Sequence, residues 1–384
     1  MTEQKFRHPD HLRADFSQGL SDMYRSEVPA YGKLIDIVGR INAQHEGLRS
    51  DGERHGAIRL GTPSELNLIG RVFAVLGMHP VGYYDLSVAG LPVHSTAFRP
   101  IETEAFNISP FRMFTSLLRL DKLPEGLRQT AEAALATRSI FSDLGHKLLE
   151  KAEADGGLNA EDGARFIREA IGIFTWRKHA HVELQTYQAL LREHPLIADI
   201  VSFQGPHMNH LTPRVADIDA AQAMMAAEGL EIKDRIEGPP RRKVPILLRQ
   251  TAFKALTEAV EFKTGSGWET AHHTARFGEI EQRGAALTPK GRALYDACLA
   301  AKDFSNFPDD RTEIQDQKLA YFDSFGMPLT YEDFLPVSAA GIFKSNLRET
   351  EDLDTQAATG NQAGFEAALG RPVFNMFDLY TKAV

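Results

Sequence analysis

The sequence predicts an α+β fold: two copies of a β-α-β-β-β unit forming a metal cleft, with helical insertions. Three observations carry the prediction. A strand-like stretch at 53–61 places His55 and Arg59 four residues apart, and 209–215 repeats that spacing with His210 and Arg214. His55 stands as far from Phe98 as His210 does from Phe253, and each Phe closes a Thr-Ala-Phe followed by a basic residue. Finally, Leu123-Pro124-Glu125-Gly126-Leu127-Arg128 is echoed by Leu287-Thr288-Pro289-Lys290-Gly291-Arg292. Three echoes in one order mark an internal duplication.

Residues 9–50 read as helical, with Leu12, Phe16, Leu20, Met23 and Tyr24 at helical spacing and a second run at about 28–46. The first unit, about 51–124, opens with the His55 strand, stopped by Gly61-Thr62-Pro63. Thr62-Pro63-Ser64-Glu65 starts a helix, with a capping hydroxyl, Pro at the first position and Glu at the third. Gly77 ends it. Strands follow at 80–86, 93–99 and 111–119. The stretch 125–200 reads as a helical insert, in which His146, His179, His181 and His194 serve packing. The second unit, about 205–295, repeats the order: the His210 strand, a helix capped by Asp217 and ended by Gly229, then strands at 230–233, 244–254 and 276–283. Thr264-Gly265-Ser266-Gly267 reads as a turn, because no strand–Gly-rich–helix context makes it a phosphate loop. Residues 1–345 are thus expected to be one catalytic domain, and 346–384 a polar linker and packing tail.

Composition narrows the function. A chain of 384 residues holds two domains or one large duplicated one. A net charge of −9 argues against nucleic acid, which favours a basic face. No apolar run approaches the ~20 residues of a membrane span. Residues 1–8 are polar and lack a signal-peptide core, so a cytoplasmic location is expected. The single cysteine, Cys298, excludes an internal disulfide framework and cysteine-rich metal sites. Any metal must therefore be held by carboxylates and by some of the 14 His.

Strand alternation puts His55, Ala57 and Arg59 on one face. If the two sheets share a cleft, His55 and His210 meet across it. Aligning Arg119 with Arg283 matches Glu279 to the uncharged Thr115. The cleft then offers two His and one carboxylate with a quadrant left open. That set suits non-haem Fe(II), and its ligand types also admit Zn or Mn. Glu281 shares the face of Glu279, so alternation alone does not choose between them, and His207 is near enough to compete with His210. His94 is a candidate neighbour or proton donor behind the metal ligands. Arg214 reads as a structural ion pair, and His207, His272 and His273 read as exposed loop residues.

The duplicated unit and the Glu279-Ile280-Glu281-Gln282-Arg283 strand resemble the vicinal-oxygen-chelate superfamily of glyoxalases and extradiol dioxygenases. Over about 50–345 the chain is similar to the 2-oxoadipate dioxygenase/decarboxylase family. The resemblance rests on stretches 54–59, 83–86, 93–99, 209–212, 278–283 and 334–343. It implies Fe(II) on His55, His210 and Glu279, with the substrate touching His55, Arg59 and the backbone of Val337. The implied reaction takes 2-oxoadipate and O₂ to 2-hydroxyglutarate and CO₂, a step of lysine breakdown. A 2-oxo acid can chelate iron through carboxylate and keto oxygens, and the planar fork of Arg59 suits the distal carboxylate. Two other classes stay open: an O₂-independent isomerase or lyase of the glyoxalase kind, and a binding module that has kept the fold. Chain-length preference, stereochemistry and oligomeric state are not legible.

Overall fold

The computed structural model describes residues 6–46, 48–50, 52–335 and 360–384. Ten strands order them. The first unit runs β1 (Arg54–Leu60), the helix Pro63–Val75, β2 (His79–Asp85), β3 (Val93–Arg99) and β4 (Phe111–Leu118). Its helix starts as its residues demand: Thr62 Oγ1 accepts from the Glu65 amide at 3.2 Å, and Glu65 Oε2 accepts from the Gly61 amide at 2.8 Å. It ends where Gly77, at φ 66°, takes the left-handed turn that a side chain would resist.

The insert contains β5 (His179–Glu183) among its helices. The second unit supplies β6 (His210–Pro213), the helix Ile218–Ala227 and β7 (Leu248–Ala252), followed by β8 (Thr257–Thr264), β9 (Gly267–Thr274) and β10 (Glu279–Arg283). The strand expected at 230–233 reduces to single bridges, Ile232 to Phe253 and Glu237 to Gln250. Pro239 and Pro240, which have no amide hydrogen to give a ladder, end that edge. The β8–β9 hairpin was not expected. Its apolar stripe is short, only Val260 and Phe262 on β8 being buried while most of β9 is exposed, and it pairs with β5 in a separate sheet, β5-β8-β9.

The two units join edge to edge. β1 lies parallel to β4 and antiparallel to β6, giving the order β2-β3-β4-β1-β6. Across the β1–β6 seam His55 faces Thr212 and His210 faces Ala57, a local two-fold arrangement. A parallel bridge from Arg214 to Glu281 carries the wall on to β10 and its antiparallel partner β7. One face of β1, with Ile58 and Leu60, packs on the helices Pro9–Glu27 and Pro63–Val75 through Phe16, Leu20 and Phe73. The other face, with Ala57 beside Phe114 and Ala97, looks into the cleft.

The tail packs on this frame. Phe365 of the helix Gln362–Leu369 is buried against Tyr83 and His94. Tyr380 of the helix Met376–Lys382 donates to Asp333 Oδ2 at 2.6 Å and accepts from the Glu332 amide at 2.7 Å. Among the described residues, no helix is long and apolar enough to cross a membrane.

Candidate metal centre

The β1–β6 seam brings the two expected His together, and β10 lays Glu279 beside them. The ring centroids of His55 and His210 lie 5.3 Å apart at 88°. His55 Nε2 is 3.1 Å from Glu279 Oε2, and His210 Nδ1 is 3.6 Å from the same oxygen. Ligand atoms of the three residues all lie within 4.8 Å of one another, and all three side chains are buried. A buried carboxylate oxygen ordinarily has a donor. Glu279 Oε2 has two, Thr212 Oγ1 at 2.9 Å and Gln250 Nε2 at 3.1 Å, yet Oε1 has none. An orphaned buried carboxylate oxygen beside two imidazoles is what a divalent cation would satisfy, so the donor set fits a metal.

The electrostatics agree. Burial pushes the His210 ring toward its neutral form, down to about 3, although Glu279 pulls the other way. Burial also opposes the charge on Glu279, but His210 and His55 outweigh it and keep its carboxyl below the usual range. A neutral imidazole and an ionised carboxylate are the forms that bind metal. His55 differs. Burial disfavours its charged form, but Glu281 and Glu279 hold its pKa above the ordinary value.

Glu279 and Glu281 divide the work that alternation could not apportion. Glu281 Oε2 sits 2.8 Å from His55 Nδ1, on the far side of the ring from Glu279. Its two oxygens are gripped by the Arg283 fork at 2.7 and 2.8 Å, and that fork, with His55, holds its pKa well below the carboxylate range against the cost of burial. A carboxylate behind a ligating His fixes the ring's tautomer and aim. The sequence signal for it was the alternation itself: one carboxylate per ligand role leaves the second free to hold a ring. Phe334 packs edge-on against His55 at 4.9 Å and against Phe114 at 5.2 Å, so apolar rings wall the remaining quadrant.

Three expectations are corrected. First, Thr115 does not match Glu279. Ala97 pairs with Phe114 as Ala252 pairs with Glu279, so Phe114 is the counterpart, and Thr115 faces away beside Ile58. Second, His94 is not behind the ligands. It pairs laterally with Leu117, and laterally paired residues share a face. That is the helix-covered face, where His94 meets Tyr83 Oη at 3.1 Å and Phe365. Third, His207 and His273 are buried rather than exposed, and His273 lies on β9.

Arg59 projects into the cleft from the same face of β1 as His55, and its Nη1 donates to Asp199 Oδ2 at 2.5 Å. Asp199 belongs to the insert helix Pro195–Ser202, which carried no sequence signal of a role in the site. Arg214 is an ion pair partner of Glu53 at 2.9 Å. Val337 lies outside the described residues, as does the linker through 359.

Comparisons with known proteins bear on this geometry. The family model described as 2-oxoadipate dioxygenase/decarboxylase matches residues 16–346. A Pseudomonas putida protein named 2-oxoadipate dioxygenase/decarboxylase is 47% identical, with 100% of this chain and 96% of that protein covered. The structure of hydroxyglutarate synthase from Pseudomonas putida in complex with 2-oxoadipate superposes with a TM-score of 0.90 at 44% identity, covering 99% of this chain and 97% of that one. A putative glyoxalase superfamily protein from Ralstonia eutropha matches with a TM-score of 0.58 at 21% identity over 73% of this chain and 85% of that one, a likeness of fold alone. The architecture is thus α+β of the vicinal-oxygen-chelate kind.

Proposed function

The chain belongs to the 2-oxoadipate dioxygenase/decarboxylase family, and from that premise we propose that it converts 2-oxoadipate and O₂ to 2-hydroxyglutarate and CO₂ with Fe(II) held by His55, His210 and Glu279. The observation that carries the metal reading is the buried Oε1 of Glu279, which has no donor among the described residues although the other oxygen of that carboxylate lies within 3.6 Å of both imidazoles. Two His and one carboxylate favour iron because they leave coordination positions for a chelating substrate and O₂. When bound, Fe(II) would supply Lewis acidity toward the 2-oxo acid and electrons to activate O₂, the oxidant for loss of CO₂.

The chain's own groups do the rest. Glu281 holds the His55 ring, Thr212 and Gln250 hold Glu279, and the Phe114 and Phe334 rings keep water from the open quadrant. Arg59 takes the distal carboxylate of the substrate with its planar guanidinium fork. Val337 would add a backbone contact to the same substrate. On this reading residues 1–345 are the catalytic domain, acting in the cytoplasm, and residues 360–384 of the tail pack on it.

The test is oxygen uptake by protein loaded anaerobically with Fe(II), on adding 2-oxoadipate. Uptake matched by CO₂ and 2-hydroxyglutarate, and absent in His210→Ala, is the expected result. Turnover of a 2-oxo acid without O₂ uptake, or equally with Zn(II), would turn the reading to an isomerase or lyase of the glyoxalase kind.

A further inference from the structure

A buried polar cluster outside the metal donors surrounds Asp199. Arg59 Nη1 meets its Oδ2 at 2.5 Å, and Asn209 Nδ2 reaches the same oxygen at 3.3 Å. His273 Nε2 lies 2.8 Å from Oδ1, and His207 Nε2 is 3.1 Å from it. Tyr187 Oη backs His273 at 3.1 Å from Nδ1. Asp199, Arg59, His207, Asn209 and His273 are each no more than 5% exposed. Their charges are matched: Arg59 and His207 hold the Asp199 carboxyl well below its usual range despite burial. A cluster so enclosed has one set of rotamers, and its members fix one another.

Its connections matter more than its strength. Asn209 directly precedes the donor His210, and its backbone amide bonds Ala57 O on β1 at 3.0 Å. Asp199 therefore grips both the Arg59 guanidinium and the strand that presents His210. Along β1 the Arg59 and His55 backbones stand about 13 Å apart, four residues at ~3.3 Å. A long, flexible arginine side chain could still place its fork anywhere within several ångströms of that spacing. The contact with Asp199 narrows that freedom.

We propose that Asp199 is a positioning residue that fixes the distance between the Arg59 fork and the metal donors, and thereby selects the length of 2-oxo dicarboxylic acid the cleft accepts. The inference rests on the reading of Arg59 as the clamp for the distal carboxylate. It gives the helical insert a part in specificity: the acid on its last helix and His273 of the β8–β9 hairpin together set a ruler. On this proposal 2-oxoglutarate, one methylene shorter than 2-oxoadipate, spans the donors and the held fork less well, and a fork that has lost its Asp199 contact discriminates less between the two acids.

The experiment compares wild type, Asp199→Asn, His273→Gln and Arg59→Met, each loaded with Fe(II). Anaerobic calorimetric titration with 2-oxoadipate and with 2-oxoglutarate gives two affinities, and steady-state oxygen uptake gives KM and kcat for each acid. Asp199→Asn is expected to weaken 2-oxoadipate binding about tenfold, the loss of a charge-assisted contact. Its KM should rise more than its kcat falls, and its preference for 2-oxoadipate over 2-oxoglutarate should shrink by a similar factor. His273→Gln leaves both members of the ion pair in place and should shift the preference in the same direction, about threefold; it decides the matter if Asp199→Asn does not fold. Arg59→Met should lose 2-oxoadipate affinity outright. A folded Asp199→Asn or His273→Gln protein with unchanged preference, beside a weakened Arg59→Met, would overturn the ruler and leave the clamp standing. An Arg59→Met protein that binds 2-oxoadipate like wild type would overturn the clamp, and the ruler with it.

Discussion

The two repeats share a backbone plan but not a chemistry, and the difference is concentrated on the strands that line the cleft. The first repeat offers one candidate donor, His55, and the second offers two, His210 and Glu279. By the strand pairings, Phe114 stands where Glu279 stands, and Ser116 where Glu281 stands. Ser95 and Ser116 join hydroxyls at 2.8 Å, whereas their counterparts Gln250 and Glu281 hold Glu279 and His55. Ala57 fills the place of Thr212. One half has kept polar reach, and the other has become an apolar wall. A duplicated cleft needs only one ionised carboxylate, because a second would close the position that substrate and O₂ require.

The comparison can be broken most severely by making the second repeat like the first. Glu279→Phe should abolish stoichiometric metal binding and activity, measured by metal content after Fe(II) loading and by oxygen uptake. The reverse change, Phe114→Glu, buries a carboxylate among Tyr84 and Phe334 and should cost about 2–4 kcal/mol in urea unfolding. It should also abolish turnover by occupying the open quadrant. Glu281→Gln keeps the shape but loses the charge behind His55, and a fall of about 10–100-fold in metal affinity or activity is expected, read by competition with a chelator. The mildest change is Thr212→Ala, which copies Ala57. Losing one hydrogen bond to Glu279 should cost about 1 kcal/mol of thermal stability and a few-fold in activity.

The two arginines sharpen the comparison through pH. Arg59 is paired with Asp199 and Arg214 with Glu53, and both acids have depressed pKa values in the fold. A depressed carboxylate contributes stability that is present above its unfolded value, 3.8 for Asp199, and is lost as pH falls through the folded value. Metal-free protein should therefore lose melting temperature as pH falls below about 4. In Asp199→Asn that acid limb should be flatter, with a lower plateau near neutrality.

Much of this frame was legible before the structure. The equal spacing of His55–Phe98 and His210–Phe253 aligned the first and third strands of each repeat, because β1 and β3 keep the register of β6 and β7. The fourth strands were misaligned by one residue, with Arg119 matched to Arg283. A one-residue slip exchanges the two faces of a strand, so Thr115 was read into the cleft in place of Phe114. His94 was misread for the same reason: its neighbours in sequence do not say which face the helices cover. Asp199 and the β8–β9 hairpin were invisible because their roles depend on contacts across the insert. Asp199 meets His273 74 residues away and Arg59 140 residues away, and no local pattern records such pairs.

The clasp formed by Tyr380 on Asp333 bears on how the protein is made. The cleft is assembled from pieces that leave the ribosome far apart in time: His55 must wait for a partner 226 residues later, Glu281. The segment Tyr331–Asp333 follows, with Arg283 holding the carbonyls of Tyr331 and Asp333 at 2.8 and 3.0 Å. Only then does Tyr380, 47 residues beyond Asp333, bolt that segment down from behind. At about 5–20 residues per second, the growing chain spends at least several seconds with its His strand exposed and incomplete. A chain cut or stalled before the helix Met376–Lys382 would carry all three candidate donors but lack the Tyr380 contacts behind Glu332 and Asp333.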